Sequence, residues 1–124
     1  MTTASANVRT KRAYDEPASD DGRRVLVDRL WPRGLSKERA HVDLWLRAVA
    51  PSEDLRKWYG HDPAKWDEFR RRYRDELRAG EAAAALVQLR DLAREGPLTL
   101  VYAARDGAHA NATVLAELLA AGAH

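Results

Sequence analysis

The segment RVLVDRLWPRG, residues 24–34, constrains the fold more than any other stretch of the chain. Three consecutive apolar residues, Val25, Leu26 and Val27, need cover on both faces of a sheet, the pattern of an interior strand in a parallel array. The residues that follow cannot continue that burial: Asp28, Arg29, Trp31, Pro32, Arg33 and Gly34. Pro32 disfavours a helical residue before it and has no N–H to donate. Gly34 can turn sharply or let a ligand approach its backbone. Ligands of open α/β sheets bind beyond the carboxyl ends of the strands, so this segment points to a location before it points to a reaction.

A second strand signal, LTLVYA at 98–103, runs into another polar cluster formed by Tyr102, Arg105, Asp106, His109 and Asn111. Strong helix signals lie between the two strands. Ser52 caps a helix with Glu53 and Asp54 in its first turn, and Gly60 stops it. Asp62 and Pro63 start the next helix, whose apolar stripe is Trp66, Phe69, Tyr73 and Leu77, with Gly80 as its end. A third helix over 81–94 turns Ala82, Leu86, Leu89 and Ala93 inward before Gly96-Pro97 breaks it. Asp106 caps a last helix with Ala108, Asn111, Leu115, Leu118 and Leu119 inward and Gly122 at its close.

The remainder is less regular. Residues 1–6 are small and polar and are expected to fray. Alternation predicts a strand over 8–14, a turn-rich loop over 15–22, and then the strand that holds Val25–Val27, over 23–30. Ser36 caps a short helical turn to residue 40, and 42–50 reads as irregular or a short strand. The expected fold is α/β: one small domain over 1–124 with a mainly parallel sheet of three to four strands flanked by helices.

If the two strong strands are parallel neighbours, their polar clusters share one edge of the sheet. Arg29, Arg33 and Arg105 would then form a cradle for phosphate or carboxylate near a helix N-terminus. Asp28 would orient them, and with His109 it is the candidate for acid–base work, His109 because its pKa suits the task. The Asp28, Arg29 and Arg33 group serves equally well as an internal ion-pair network. Asn111 either caps a strand end or meets a ligand. His109 also fits a solvated surface position, and His61 fits a turn residue packed on Trp58. The four tryptophans read as core, and the arginines of 70–74 read as a face salt-bridged to Asp67, Glu68, Asp75 and Glu76.

Composition excludes several classes. There is no cysteine, so no disulfide, thiolate nucleophile or thiolate metal site exists. No histidines or acids stand at helical metal-ligand spacing, and no Gly-x-Ser-x-Gly elbow, dinucleotide fingerprint or phosphate loop is present. These absences predict no metal and no cofactor. Twenty-one basic residues face nineteen acidic ones, a net charge of +2, and the two signs are interleaved, which argues against a nucleic-acid stripe. No stretch approaches a membrane span, and MTTASANVRTKR has no signal-peptide core, so a cytoplasmic location without membrane association is expected.

Three stretches carry a family resemblance: RVLVDRLWPRGLSKERA, APSEDLRKWYGHDPAKWDEFRRRY and LTLVYAARDGAHANATVL. In that order they resemble the short, YeaO-like branch of the domain of unknown function family 488, from about Lys11 to Leu119. The resemblance implies a compact α/β domain of unassigned activity. Longer relatives carry a Cys-x-Glu and Cys-His-Arg signature whose positions fall here on Tyr102, Ala110, Asn111 and Ala112, so no thiol or metal chemistry transfers. Ala110 also departs from the Asn often found there in the short branch. The expectation is an anion-binding crevice for a small phosphate- or carboxylate-bearing ligand. The competing expectation is a nucleic-acid-binding or protein-interaction module in which Asp28, Arg29 and Trp31 are purely structural.

Overall fold

In the computed structural model, which describes residues 8–121, Val25, Leu26 and Val27 are all fully buried, as their unbroken apolar run requires. The strand they belong to, β2 (Arg23–Leu26), lies in a four-stranded, all-parallel sheet with β1 (Val8–Arg12), β3 (Leu44–Trp45) and β4 (Leu98–Tyr102), in the order β1-β4-β2-β3. The two strong strands are neighbours, with Val25 opposite Leu100 and Leu26 opposite Val101. Five helices complete the fold: α1 (Lys37–Ala40), α2 (Glu53–Tyr59), α3 (Trp66–Glu76), α4 (Gly80–Glu95) and α5 (Asn111–Ala121). The expectations for residues 1–6 and for Gly122 lie outside the described residues.

Strand alternation divides the core in two. Val25, Val27, Leu98, Leu100 and Tyr102 pack with Phe69, Tyr73, Leu86, Leu89 and Leu115 from α3, α4 and α5. Leu26 and Val101 point the other way, onto Ala13 and a smaller cover of Trp31, Leu35, Val42 and Trp45. Helix starts follow local chemistry: Ser36, Ser52 and Asp62 each accept a backbone N–H in the first turn they cap. Glu76, at the end of α3, accepts from the Ser52 N–H at 2.8 Å and from its hydroxyl at 2.6 Å, which ties α3 to the start of α2.

Several expectations are corrected. The strand over 23–30 ends at Leu26. One further ladder bond runs from Val27 N–H to Val101, but the Asp28 carboxylate then takes the Ala103 N–H, and Leu30 stands 63% exposed. The strand over 8–14 ends at Arg12, after which Tyr14 swings out and donates to the Arg33 carbonyl at 2.8 Å. Helix α3 stops before Gly80, which instead opens α4 with a φ of 65°. The segment 42–50 contains β3 and a 3-10 turn at Arg47–Val49. Asp106 caps a separate 3-10 turn, Gly107–His109, which leaves Ala108 exposed and not inward.

The tryptophans are half-buried, not core. Their faces support cations: Arg47 sits 3.8 Å above Trp45, and Arg72 4.3 Å from Trp58. On α3, Arg71 and Arg72 pair with Glu68 as expected. Arg70 and Arg74 instead cross to Glu117 of α5, at 2.9 and 3.1 Å.

The amino ends of β2 and β4 hold a closed polar cluster. Asp21 and Arg24 are almost fully buried and 2.7 Å apart. The Arg24 guanidinium also donates to the Ala40 carbonyl, at 2.8 Å from one nitrogen and 3.2 Å from another, and to His41 O at 3.1 Å. Lys11 and the Ala18 N–H complete the shell around the Asp21 carboxylate, and the Thr99 hydroxyl donates to the Asp21 carbonyl. Burial alone would push Asp21 up. The Ala18 N–H, Arg24 and Lys11 together hold it below the ordinary carboxylate value.

Candidate functional site

The opposite end of the sheet is open. Beyond the carboxyl ends of β2 and β4 lies a cleft of about 610 Å³. Because the two strands are parallel neighbours, both polar clusters arrive at it: Asp28, Arg29 and Arg33 from one, Arg105, His109 and Asn111 from the other. All six residues singled out from the sequence line this one cavity. Helix α2 adds Arg56 and Tyr59, and the turn after it adds His61.

Two side chains close the strand ends themselves. Asp28 accepts the Ala103 N–H at 2.8 Å, which joins the ends of β2 and β4. Asn111, at the first turn of α5, donates to the Val27 carbonyl at 2.9 Å and so caps the strand, one of the two roles its position allowed. The Trp45 indole N–H donates to the Asp28 carbonyl at 2.8 Å. Burial pushes the Asp28 carboxyl above its ordinary value, only partly offset by the Ala103 N–H, Asn111 and the charge of His61. Asp28 makes no ion pair with Arg29 or Arg33, so the internal network the sequence allowed is not formed.

The arginines are correspondingly free. Among the described residues, Arg29, Arg33, Arg56 and Arg105 make no salt bridge, nor do Arg12, Arg39, Arg47 and Arg90 elsewhere, whereas Arg9, Arg23, Arg24, Arg70, Arg71, Arg72, Arg74, Arg78 and Arg94 all do. Arg29 reaches only the Pro51 carbonyl, at 3.5 Å, which is too long to hold a guanidinium firmly. Glu53, whose charge Arg29 and Arg56 both feel, is itself bonded to Lys57 at 3.1 Å. Trp31, by contrast, is a staple: its indole N–H donates to Leu35 O at 2.6 Å, and its ring stands edge-on to Trp45 at 5.4 Å. Of the three residues offered as purely structural, Trp31 and Asp28 hold loop and strand ends, while Arg29 makes only the long contact to Pro51.

His109 stands partly exposed at the cleft rim, with 34% of its side chain accessible. Its Nδ1 lies 2.6 Å from Asp106, and its ring stands edge-on to Trp66 at 5.2 Å. That contact with His109, with smaller help from the Ala108 and His109 N–H groups, holds the Asp106 carboxyl below its ordinary value. Tyr59 donates to the His109 carbonyl at 2.8 Å, and burial, with Asp106 and Asp62 nearby, pushes its hydroxyl up to about 12. His61, at a φ of 57°, packs against Tyr59 at 6.2 Å instead of Trp58.

Arg56, Tyr59 and Tyr14 were not singled out from the sequence. Arg56 sits among paired charges on an exposed helix, and only the placement of α2 beside the sheet end brings it to the cleft. A smaller cavity of about 290 Å³ lies beside Arg23, Asp43 and Leu44, but its charges are engaged: Arg23 with Glu95, and Asp43 with the Arg24 N–H. Among the described residues no cluster of histidines and acids could hold a metal ion, and no helix is long and apolar enough to cross a membrane.

Comparison with known proteins places the chain in a family. The chain is 47% identical over 112 residues to the uncharacterized protein Rv3073c of Mycobacterium tuberculosis, covering 90% of this chain and 92% of that one. It matches the uncharacterized protein Mb3100c of Mycobacterium bovis at the same identity and coverage. It is 40% identical over 113 residues to the uncharacterized protein YeaO of Escherichia coli, covering 91% of this chain and 96% of that one. No solved structure matches significantly. Residues 7–124 match the family DUF488-N3i, described as the inactive DUF488-N3 subclade, and this chain belongs to that family.

Proposed function

We propose that the cleft binds a small phosphate- or carboxylate-bearing ligand, and that the protein is a cytoplasmic binding or sensing module. The observation that carries this reading is the set of four cleft-lining arginines without carboxylate partners, in a molecule whose other arginines are mostly paired. Guanidiniums left unpaired around a cavity are suited to bidentate anion contacts. Arg29, Arg33 and Arg105 bind the charge, with Arg56 added from α2. Asp28 and Asn111 hold the two strand ends in register, and His109 contacts the ligand from the 3-10 turn.

Neither serine, threonine, cysteine nor lysine lines the cleft to act as a nucleophile, and the family's description as inactive favours binding over turnover. His109 and Asp28 stand as the acid–base candidates if a reaction occurs. The test is an amide chemical-shift titration with inorganic phosphate. Shifts confined to 28–33, 56–61 and 103–111, saturating with phosphate, support the reading. Shifts at the smaller cavity around Asp43, or none at all, would remove it.

A further inference from the structure

We propose, resting on the anion-site reading above, that the cleft selects an organic anion: a phosphate or carboxylate carried on a planar apolar body. Charge and apolar surface are segregated in the lining. The four arginines are solvent-exposed, while the most deeply buried lining residues, among them Pro32, Pro51, Tyr59 and Phe69, are apolar or aromatic, and the half-buried Asp28 and Asn111 are tied to the strand ends. At the mouth, Tyr14 and Leu30 are 43% and 63% exposed. They are two of the three large hydrophobic side chains left exposed among the described residues, and both belong to this one opening. Exposed apolar residues gathered at a single opening mark an interaction site, whereas scattered ones need no explanation.

An inorganic anion would leave that surface unused. The 610 Å³ of the cleft falls within the roughly 300–1,000 Å³ of sites that hold drug-sized ligands. Tyr14 at the mouth and the half-buried Trp31 beside it favour a flat ring, which they can meet edge-on or stacked, over a floor closed by the buried Tyr59 and Phe69. The arginines supply the complement for the charged end, and they can also stack on a ring face.

Calorimetric titration of the intact protein with phenyl phosphate, inorganic phosphate and phenol tests this. Phenyl phosphate is expected to bind about tenfold or more tighter than inorganic phosphate, the effect of burying a ring-sized apolar surface. Leu30→Ser, at an exposed position, should weaken phenyl phosphate while leaving inorganic phosphate unchanged, and Arg29→Ala should weaken both. Equal affinity for the two phosphates would overturn the organic-anion inference and leave the anion site standing. Phenol binding as tightly as phenyl phosphate, or no binding of either anion, would overturn the anion site and the inference with it.

Discussion

Asp21 and Asp28 stand just before and just beyond the two ends of β2, and they have opposite fates. Asp21 is buried against Arg24 at 2.7 Å with Lys11 and the Ala18 N–H around it, and its carboxyl is held down. Asp28 is largely buried with a single backbone N–H and no ion pair, and burial holds its carboxyl up. Around Asp21 every cation is engaged. Around Asp28 four arginines are not. Cluster content is similar, acid plus guanidinium beside a strand end, but one is closed into the fold and the other lines an open cleft. What separates the two clusters is whether the partners are already satisfied.

The largest expected effect falls on the closed end. Arg24→Met leaves Asp21 buried with only Lys11, the Ala18 N–H and a distant Arg9 around it and should cost about 3–5 kcal/mol, read from chemical denaturation. Adding Asp21→Asn should recover part of that loss. Gly22, between them, has a φ of 66°, and a Cβ there would lie 2.2 Å from the Pro97 carbonyl oxygen. Gly22→Ala should cost at least the roughly 1–3 kcal/mol of a strained backbone, because the obstacle is main chain that also accepts the Arg23 N–H. At the open end, Arg105→Ala should leave the melting temperature unchanged while phosphate affinity falls about tenfold or more, the loss of one charge-assisted bond.

Acid pH separates the two aspartates in sign. The Asp21 carboxyl is depressed in the folded state, so its stabilisation is present above the ordinary value of 3.8 and is lost as pH falls through the folded value. The Asp28 carboxyl is raised, so its ionisation weakens the fold as pH climbs from 3.8 through the folded value. Asp28→Asn should therefore flatten that segment of the stability curve without lowering stability at neutral pH. Sulfate, whose charge is constant across this range, should bind wild-type protein more tightly as pH falls through the Asp28 value, and this dependence should weaken in Asp28→Asn. The smallest effect belongs to the exposed face of α3: Arg71→Ala, which breaks only its contacts with Glu68 and Asp75, should leave both the denaturation midpoint and phosphate binding unchanged.

Local chemistry made much of this legible. The caps at Ser36, Ser52, Asp62 and Asp106 depend on a few residues each, and the buried run at Val25–Val27 announces a two-faced strand by itself. Parallel pairing of β2 with β4 then brought six separately chosen residues to one cleft. Long-range partners were the illegible part. The Asp28 bond to Ala103 joins positions 75 apart, and it both shortened the strand and removed the ion pair that neighbouring arginines suggested. Arg70 and Arg74 likewise found Glu117 on another helix instead of the acids beside them. The Asp21–Arg24 pair was local, yet it lay in a turn-rich stretch where an acid ordinarily faces solvent.

The central claim is that the open end of the sheet binds an anion through arginines the fold does not need. Sulfate titration of the Arg29→Ala/Arg105→Ala double variant, paired with its melting curve, tests it most directly. Loss of sulfate binding with an unchanged melting temperature is the predicted result. A lowered melting temperature with sulfate binding retained would contradict it, and would assign those arginines to the fold.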